Sequence, residues 1–292
     1  MTLRQLVKVI INLSLLAFLA SCAPKAADLS SYQGTPTYQA GIIGGSDADV
    51  NYEKQHGIVG VYDTEMGGLC TGSLIGNGLV LTAGHCANVD HPEKMIIFFG
   101  PNFDDIIAQA NKGDHSNLRR VVRAIRHEKY KEENPDNLST NNDISLLRFS
   151  GGNVAGYMTA KLATAQQSAS LQKGAVVTLA GYGLSEYTFD PTTGKKLSSN
   201  GAGALRMVDG IKILSVLPTG EEITFDQTQG KGACHGDSGG PAYLVDAAHT
   251  TYLVGVTSRG GGKVDRCDGT AIYTGVIGYT KWIQSHLGKL MR

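Results

Sequence analysis

The chain carries no excess of either charge: 26 lysines and arginines balance 26 aspartates and glutamates over 292 residues. With no net field to draw in a polyanion, nucleic acid is not an expected partner. The densest basic stretch, Arg119-Arg120-Val121-Val122-Arg123-Ala124-Ile125-Arg126, is interleaved with aliphatics and reads as a β-strand with one solvated face. A membrane-spanning run is also missing from the N-terminus. Val9 to Ala20 is apolar but for Asn12 and Ser14, and falls short of the roughly 20 residues a spanning helix needs. Cysteine is sparse, at five: Cys22, Cys70, Cys86, Cys234 and Cys267. No two stand at Cys-x-x-Cys spacing, which argues against a zinc site, so neither metal nor cofactor is expected. Tryptophan occurs once. Trp282 falls with Tyr279, Ile283 and Leu287 at helical spacing within Gly278–Leu290, a core position of a C-terminal helix rather than a ligand box.

What the chain does have begins at its N-terminus. Arg4 and Lys8 precede the apolar stretch, the pattern of an export signal over residues 1–21. Leu19-Ala20-Ser21-Cys22 is similar to a bacterial lipobox, which implies cleavage before Cys22 and its acylation. An ordinary secretory signal with a chance cysteine remains the alternative. An odd cysteine count in an exported protein calls for an explanation, and lipidation of Cys22 leaves an even four. Residues 22–41, rich in Ala, Ser, Gln, Gly, Thr and Pro, read as a lipidated linker or propeptide.

Three short motifs carry the chemistry: Leu81-Thr82-Ala83-Gly84-His85-Cys86, Asn142-Asp143-Ile144-Ser145-Leu146-Leu147, and Gly232-Ala233-Cys234-His235-Gly236-Asp237-Ser238-Gly239-Gly240-Pro241. A serine hydroxyl needs a base to take its proton as it attacks. Histidine has the pKa for that task, and a carboxylate can fix its tautomer. In the order His, Asp, Ser, the three motifs together resemble the chymotrypsin/trypsin family of serine proteases. The resemblance runs from Ile42 to the C-terminus. It implies Ser238 as nucleophile, His85 as general acid and base, Asp143 as orienting carboxylate, and the N–H groups of Gly236 and Ser238 as an oxyanion hole.

The short apolar runs separated by Gly, Asn and Pro turns suggest a barrel or sandwich without choosing between them. The resemblance supplies the choice. The expected fold is all-β, two packed antiparallel six-stranded β-barrels over residues 42–292. The first would cover about 42–155 and the second about 165–276, with a helix over 278–290 packed on the second barrel. His85 and Asp143 would lie on the first barrel and Ser238 on the second. The resemblance pairs Cys70 with Cys86 and Cys234 with Cys267. It also implies an activation pair: cleavage before Ile42 frees an amine that folds inward onto Asp237. Tyr38-Gln39-Ala40-Gly41 lacks the basic residue common before that bond, so the activating protease is an unidentified partner.

For the substrate pocket the resemblance points to Gly232, Ser258, Gly260 and Ala271. Gly232 stands where trypsin-like members carry an aspartate, so a buried basic side chain would go unpaired. The expectation is cleavage after apolar or aromatic P1 residues. Asp265 or Asp268 folding into the pocket would restore a basic preference, and that alternative stays open. The expected function is a serine endopeptidase acting through an acyl-enzyme on protein or peptide substrates. It would be exported, lipid-anchored at Cys22 to the cell envelope, and released on activation. A catalytically silent, protease-like scaffold lipoprotein is the rival reading.

Overall fold

A computed structural model describes residues 42–131, 141–190, 193, 196–261 and 267–291. The signal segment, Cys22, the linker and Asp265 lie outside the described residues.

A two-residue strand β1 (Ser46–Asp47) and a short helix α1 (Val50–His56) lead into the first barrel. Its strands are β2 (Ile58–Asp63), β3 (Gly68–Gly76), β4 (Leu79–Thr82), β5 (Met95–Phe98), β6 (Leu118–Arg126) and β7 (Ser145–Phe149). They close antiparallel in the order β2-β3-β4-β7-β6-β5. A helix α2 (Phe103–Asn111) is inserted between β5 and β6. The second barrel is built from β8 (Val176–Gly181), β11 (Arg206–Val216), β12 (Glu222–Asp226), β13 (Pro241–Val245), β14 (Thr251–Gly261) and β15 (Thr270–Gly275). Its ring runs β8-β11-β12-β15-β14-β13 and returns to β8. A hairpin of β9 (Glu186–Phe189) and β10 (Lys196–Asn200) projects between β8 and β11.

Burial explains why these strands read as near-continuous apolar runs. On β4, Val80 points into the first barrel's own core beside Val59, Ile97 and Leu147, while Leu79 and Leu81 face the layer between the barrels. Both faces are dry, so the period-2 pattern of a half-exposed strand is lost. β6 differs. It keeps Leu118 and Val121 inside and turns Val122 and Arg123 to solvent, as its basic sequence requires.

Two placements depart from expectation. Residues 42–47 pack on the second barrel rather than beginning the first. Ile42 is fully buried in the second core, Ile43 bridges to Gly232, and β1 pairs with β11. The C-terminal helix α3 (Val276–Leu290) packs on β14 of the second barrel as expected, and in addition reaches back across β6 and β7 of the first. Its Tyr279 hydroxyl donates to Asn142 Oδ1 at 3.1 Å, its Trp282 Nε1–H donates to Glu128 Oε2 at 3.0 Å, and Arg123 donates to its Lys289 carbonyl. The physical reason is its apolar face. Val276, Tyr279, Ile283 and Leu290 complete the layer between the barrels, which belongs to neither barrel alone.

Candidate active site

His85 and Asp143 lie on the turns that follow β4 and precede β7, two adjacent strands of the first barrel, so their loops leave the same end together. The Asp143 carboxylate grips His85 twice: Oδ1 accepts the His85 backbone N–H at 2.8 Å, and Oδ2 lies 2.8 Å from Nδ1. A carboxylate can only accept, so Nδ1 carries the proton and Nε2 is left as the basic nitrogen. Oδ2 also accepts the Ser258 hydroxyl at 2.7 Å. Asp143 is 2 % exposed, and burial alone would raise its pKa. The His85 and Ser258 hydrogen bonds and the charge of His85 outweigh that, holding the carboxyl below the ordinary aspartate range.

Ser238 sits on the other barrel, in the tight loop between β12 and β13. Gly236 at φ +95° and Gly239 at φ +80° are in conformations that favour glycine. A Cβ on Gly239 would overlap Thr82 Oγ1 and the Thr71 carbonyl, so the loop rests directly on the first barrel. Among the described residues the backbone N–H groups of Gly236 and Ser238 have no protein acceptor, while those of Asp237, Gly239 and Gly240 are bonded within the fold. Two unpaired donors flanking one residue are what an oxyanion site requires. Ser238 and His85 line one open cleft of about 590 Å³, together with Asp63, Leu69, the Cys70–Cys86 pair and Arg126.

Each barrel holds the other's loop. From β3, Thr71 donates its N–H to the Ser238 carbonyl at 2.8 Å and its hydroxyl to the Gly236 carbonyl at 3.1 Å. From the second barrel, Ser258 binds the Asp143 carboxylate and Thr274 donates to the Asp143 carbonyl at 2.8 Å. Neither Thr71 nor Thr274 stands in a local motif; only the assembled interface reveals them.

Asp237, fully buried behind the serine, accepts N–H groups from Gly183 and Cys234 at 2.8 Å each and from Ile42. Burial pushes its pKa up to about 7 against the pull of these three donors. Ile42 and Asp237 are thus in contact, with Ile42 contributing a peptide N–H in the uncut chain. Disulfides join Cys70 to Cys86 and Cys234 to Cys267.

Of the residues expected to line the pocket, Gly260 and Ala271 are cross-strand partners on β14 and β15, and Ser258 is engaged with Asp143. Arg259, next to them, turns away into a 2.9 Å ion pair with Glu222 and a hydrogen bond to Asn141 Oδ1. Gly232 is buried beside Gln227, a residue the sequence did not single out. Asp268 is half-buried directly after Cys267.

The sequence matches the family model described as Trypsin over residues 42–283. It is 29% identical over 257 residues to brachyurin of Leptuca pugilator, covering 85% of this chain and 99% of that protein. Trypsin-1 of Astacus astacus is 28% identical over 261 residues, covering 84% and 99%. Urokinase-type plasminogen activator of Gallus gallus is 27% identical over 265 residues; 84% of this chain is covered but 57% of that longer protein.

Proposed function

The chain belongs to the trypsin family of serine peptidases, and on that footing we propose that it is an active endopeptidase working through an acyl-enzyme. The observation that carries this is the double grip of Asp143 on His85, which leaves Nε2 basic in the same cleft as Ser238. In the proposed cycle, Ser238 Oγ attacks the scissile carbonyl as its proton passes to His85 Nε2. The resulting imidazolium keeps Nδ1–H on Asp143, whose depressed pKa keeps it ionised. The developing oxyanion meets the N–H groups of Gly236 and Ser238. His85 then gives its proton to the leaving amine, and water, deprotonated in turn by His85, releases the acyl group from Ser238.

The preferred P1 residue in this reading is apolar or aromatic, because Gly232 offers no charge to a buried cation. Cleavage before Ile42 would replace its peptide N–H with an ammonium facing Asp237. Two disulfides suit an oxidising compartment. Export, acylation of Cys22 and release by the cut before Ile42 complete the proposal.

The test is covalent. A fluorophosphonate should label the chain beginning at Ile42 and leave Ser238→Ala unlabelled. A chain that neither takes the label nor hydrolyses peptides would be the silent scaffold instead.

A further inference from the structure

Gln227 lies five residues before Gly232, just beyond β12, and is 1% exposed. A buried primary amide must satisfy two N–H donors and a carbonyl. Gln227 does so entirely on the backbone of Ala233 and Cys267. Its Oε1 accepts the Ala233 N–H at 2.8 Å, and its Nε2 donates to the carbonyls of Ala233 and Cys267 at 3.0 Å each. The two segments that the Cys234–Cys267 disulfide joins are therefore bridged a second time, by one side chain. The same amide fills the space in front of Gly232. A Cβ built there would lie 2.5 Å from both Cγ and Oε1 of Gln227, with Cδ nearer still. Gly232 cannot swing aside, because its N–H and carbonyl are paired with Ile43 at 3.0 and 2.9 Å.

We propose that Gln227 is the specificity-determining floor of the substrate pocket, a neutral plug standing where a side chain at position 232 would project. The inference rests on Gly232 marking the closed end of that pocket. Both amide N–H groups are donated, the oxygen already accepts one N–H, and the group carries no charge, so a cationic P1 group arriving at it finds no counter-charge to offset its lost hydration. An acidic residue at 232 would first have to expel this bonded amide, so Gly232→Asp is a poor route to basic specificity. Gln227→Glu is a better one. One carboxylate oxygen keeps the Ala233 N–H, while the other faces the Ala233 and Cys267 carbonyls. Those three oxygens repel one another until a cation sits among them. An amidinium or a P1 ammonium would be that cation.

The test is p-aminobenzamidine fluorescence titration of the chain beginning at Ile42, as wild type, Gln227→Glu, Gln227→Met and Gly232→Asp, alongside P1 profiling of fluorophosphonate-titrated enzyme. Gln227→Glu should bind the amidinium about 100-fold more tightly than wild type, the scale of pairing one charge in a desolvated site. Its ratio of kcat/KM for Lys over Leu should rise in parallel, chiefly through KM. Gly232→Asp should gain far less, and Gln227→Met, close to glutamine in length and volume but apolar, should still refuse the amidinium while shifting the P1 profile further toward apolar side chains over polar ones such as Gln and Asn. Amidinium affinity in Gln227→Glu within about twofold of wild type would overturn the inference. So would an unchanged P1 profile in Gln227→Met, which decides the matter if the Glu variant does not fold. Amidinium binding needs no nucleophile, so failure to take the fluorophosphonate label counts against the peptidase reading and leaves this one to be judged by the titration.

Discussion

The uncut chain should lose stability as pH rises from about 4 to about 7, and the chain cut before Ile42 should lose much less. The cause is Asp237, buried behind the nucleophile with three N–H donors, where burial lifts its pKa to about 7. An aspartate in the unfolded chain titrates near 3.9. Between those values the folded state holds one proton more than the unfolded state. Stability therefore falls with rising pH, being fully present below about 4 and lost by about 7. A gap of about three units at roughly 1.4 kcal/mol each makes the loss about 4 kcal/mol. Cutting before Ile42 exchanges its peptide N–H for an amine, and an ammonium there brings the carboxyl back down. The pair raises the amine's pKa in return, so its contribution is present at neutral pH and lost as pH climbs through that raised value. Glu53 complicates a single curve, since burial pushes it to about 7 as well and it adds a slope of the same sign. It does so in both forms, so the difference between cut and uncut chains isolates Asp237. Urea unfolding of both forms in a Ser238→Ala background, from pH 4.5 to 8, measures that difference. Asp237→Asn should flatten the uncut curve by the Asp237 share. Identical slopes in cut and uncut chains, or a full slope surviving in Asp237→Asn, would refute the argument.

Three further outcomes are expected, two from the geometry of the site and one from the sequence around Cys22. Ser238→Ala should lower kcat by about 10⁶ and Asp143→Asn by about 10⁴, the scale typical of Ser-His-Asp hydrolases, with circular dichroism unchanged. Full peptidase activity in Ser238→Ala would remove the triad. Gly239→Ala, whose Cβ would overlap Thr82 Oγ1 and the Thr71 carbonyl, should cost several kcal/mol and most of kcat; a variant with wild-type melting temperature and rate would show that the barrel contact is not needed. Cys22→Ser should abolish palmitate incorporation and membrane recovery. Finding the active form membrane-bound with residues 22–41 still attached would sink the coupling of activation to release.

The candidate catalytic constellation was legible because its parts are local. Gly236 and Gly239 mark positive-φ turns, and His85, Asp143 and Ser238 each sit in a short string whose chemistry can be named. The strands were legible for a related reason: β4 is apolar on both faces and its ends are turns. Helices α1 and α2 escaped, being seven and nine residues long and too short for helical periodicity to stand out. The docking of α3 escaped because periodicity names a buried face but not the surface that buries it. His56 and His127, which stand in no motif, are half-buried in aromatic contacts: His56 stacks on Tyr52, and His127 packs against Tyr279 and Trp282.

The hardest residues to foresee were those that answer another residue's burial. Tyr182 stands in no motif, and nothing in the sequence gives its hydroxyl a partner. In the fold that hydroxyl is sealed between the barrels, 3.1 Å from both Glu53 Oε1 and the Gly100 carbonyl. Glu53 also accepts the Gly100 N–H at 2.7 Å, so a glutamate on an exposed-looking helix becomes the centre of a dry polar knot. Burial then moves its pKa to about 7, against the hydrogen bonds that pull it down. Burying this phenol thus brings in an acceptor 129 residues away in sequence, and the acceptor, once buried, becomes titratable near neutrality. Gln227 follows the same logic at the proposed pocket floor, where its side chain fills the room left by the absence of one at Gly232. In both places a buried position is completed by a residue that carries no motif and comes from another part of the chain, which is why the sequence names the candidate site but not what supports it.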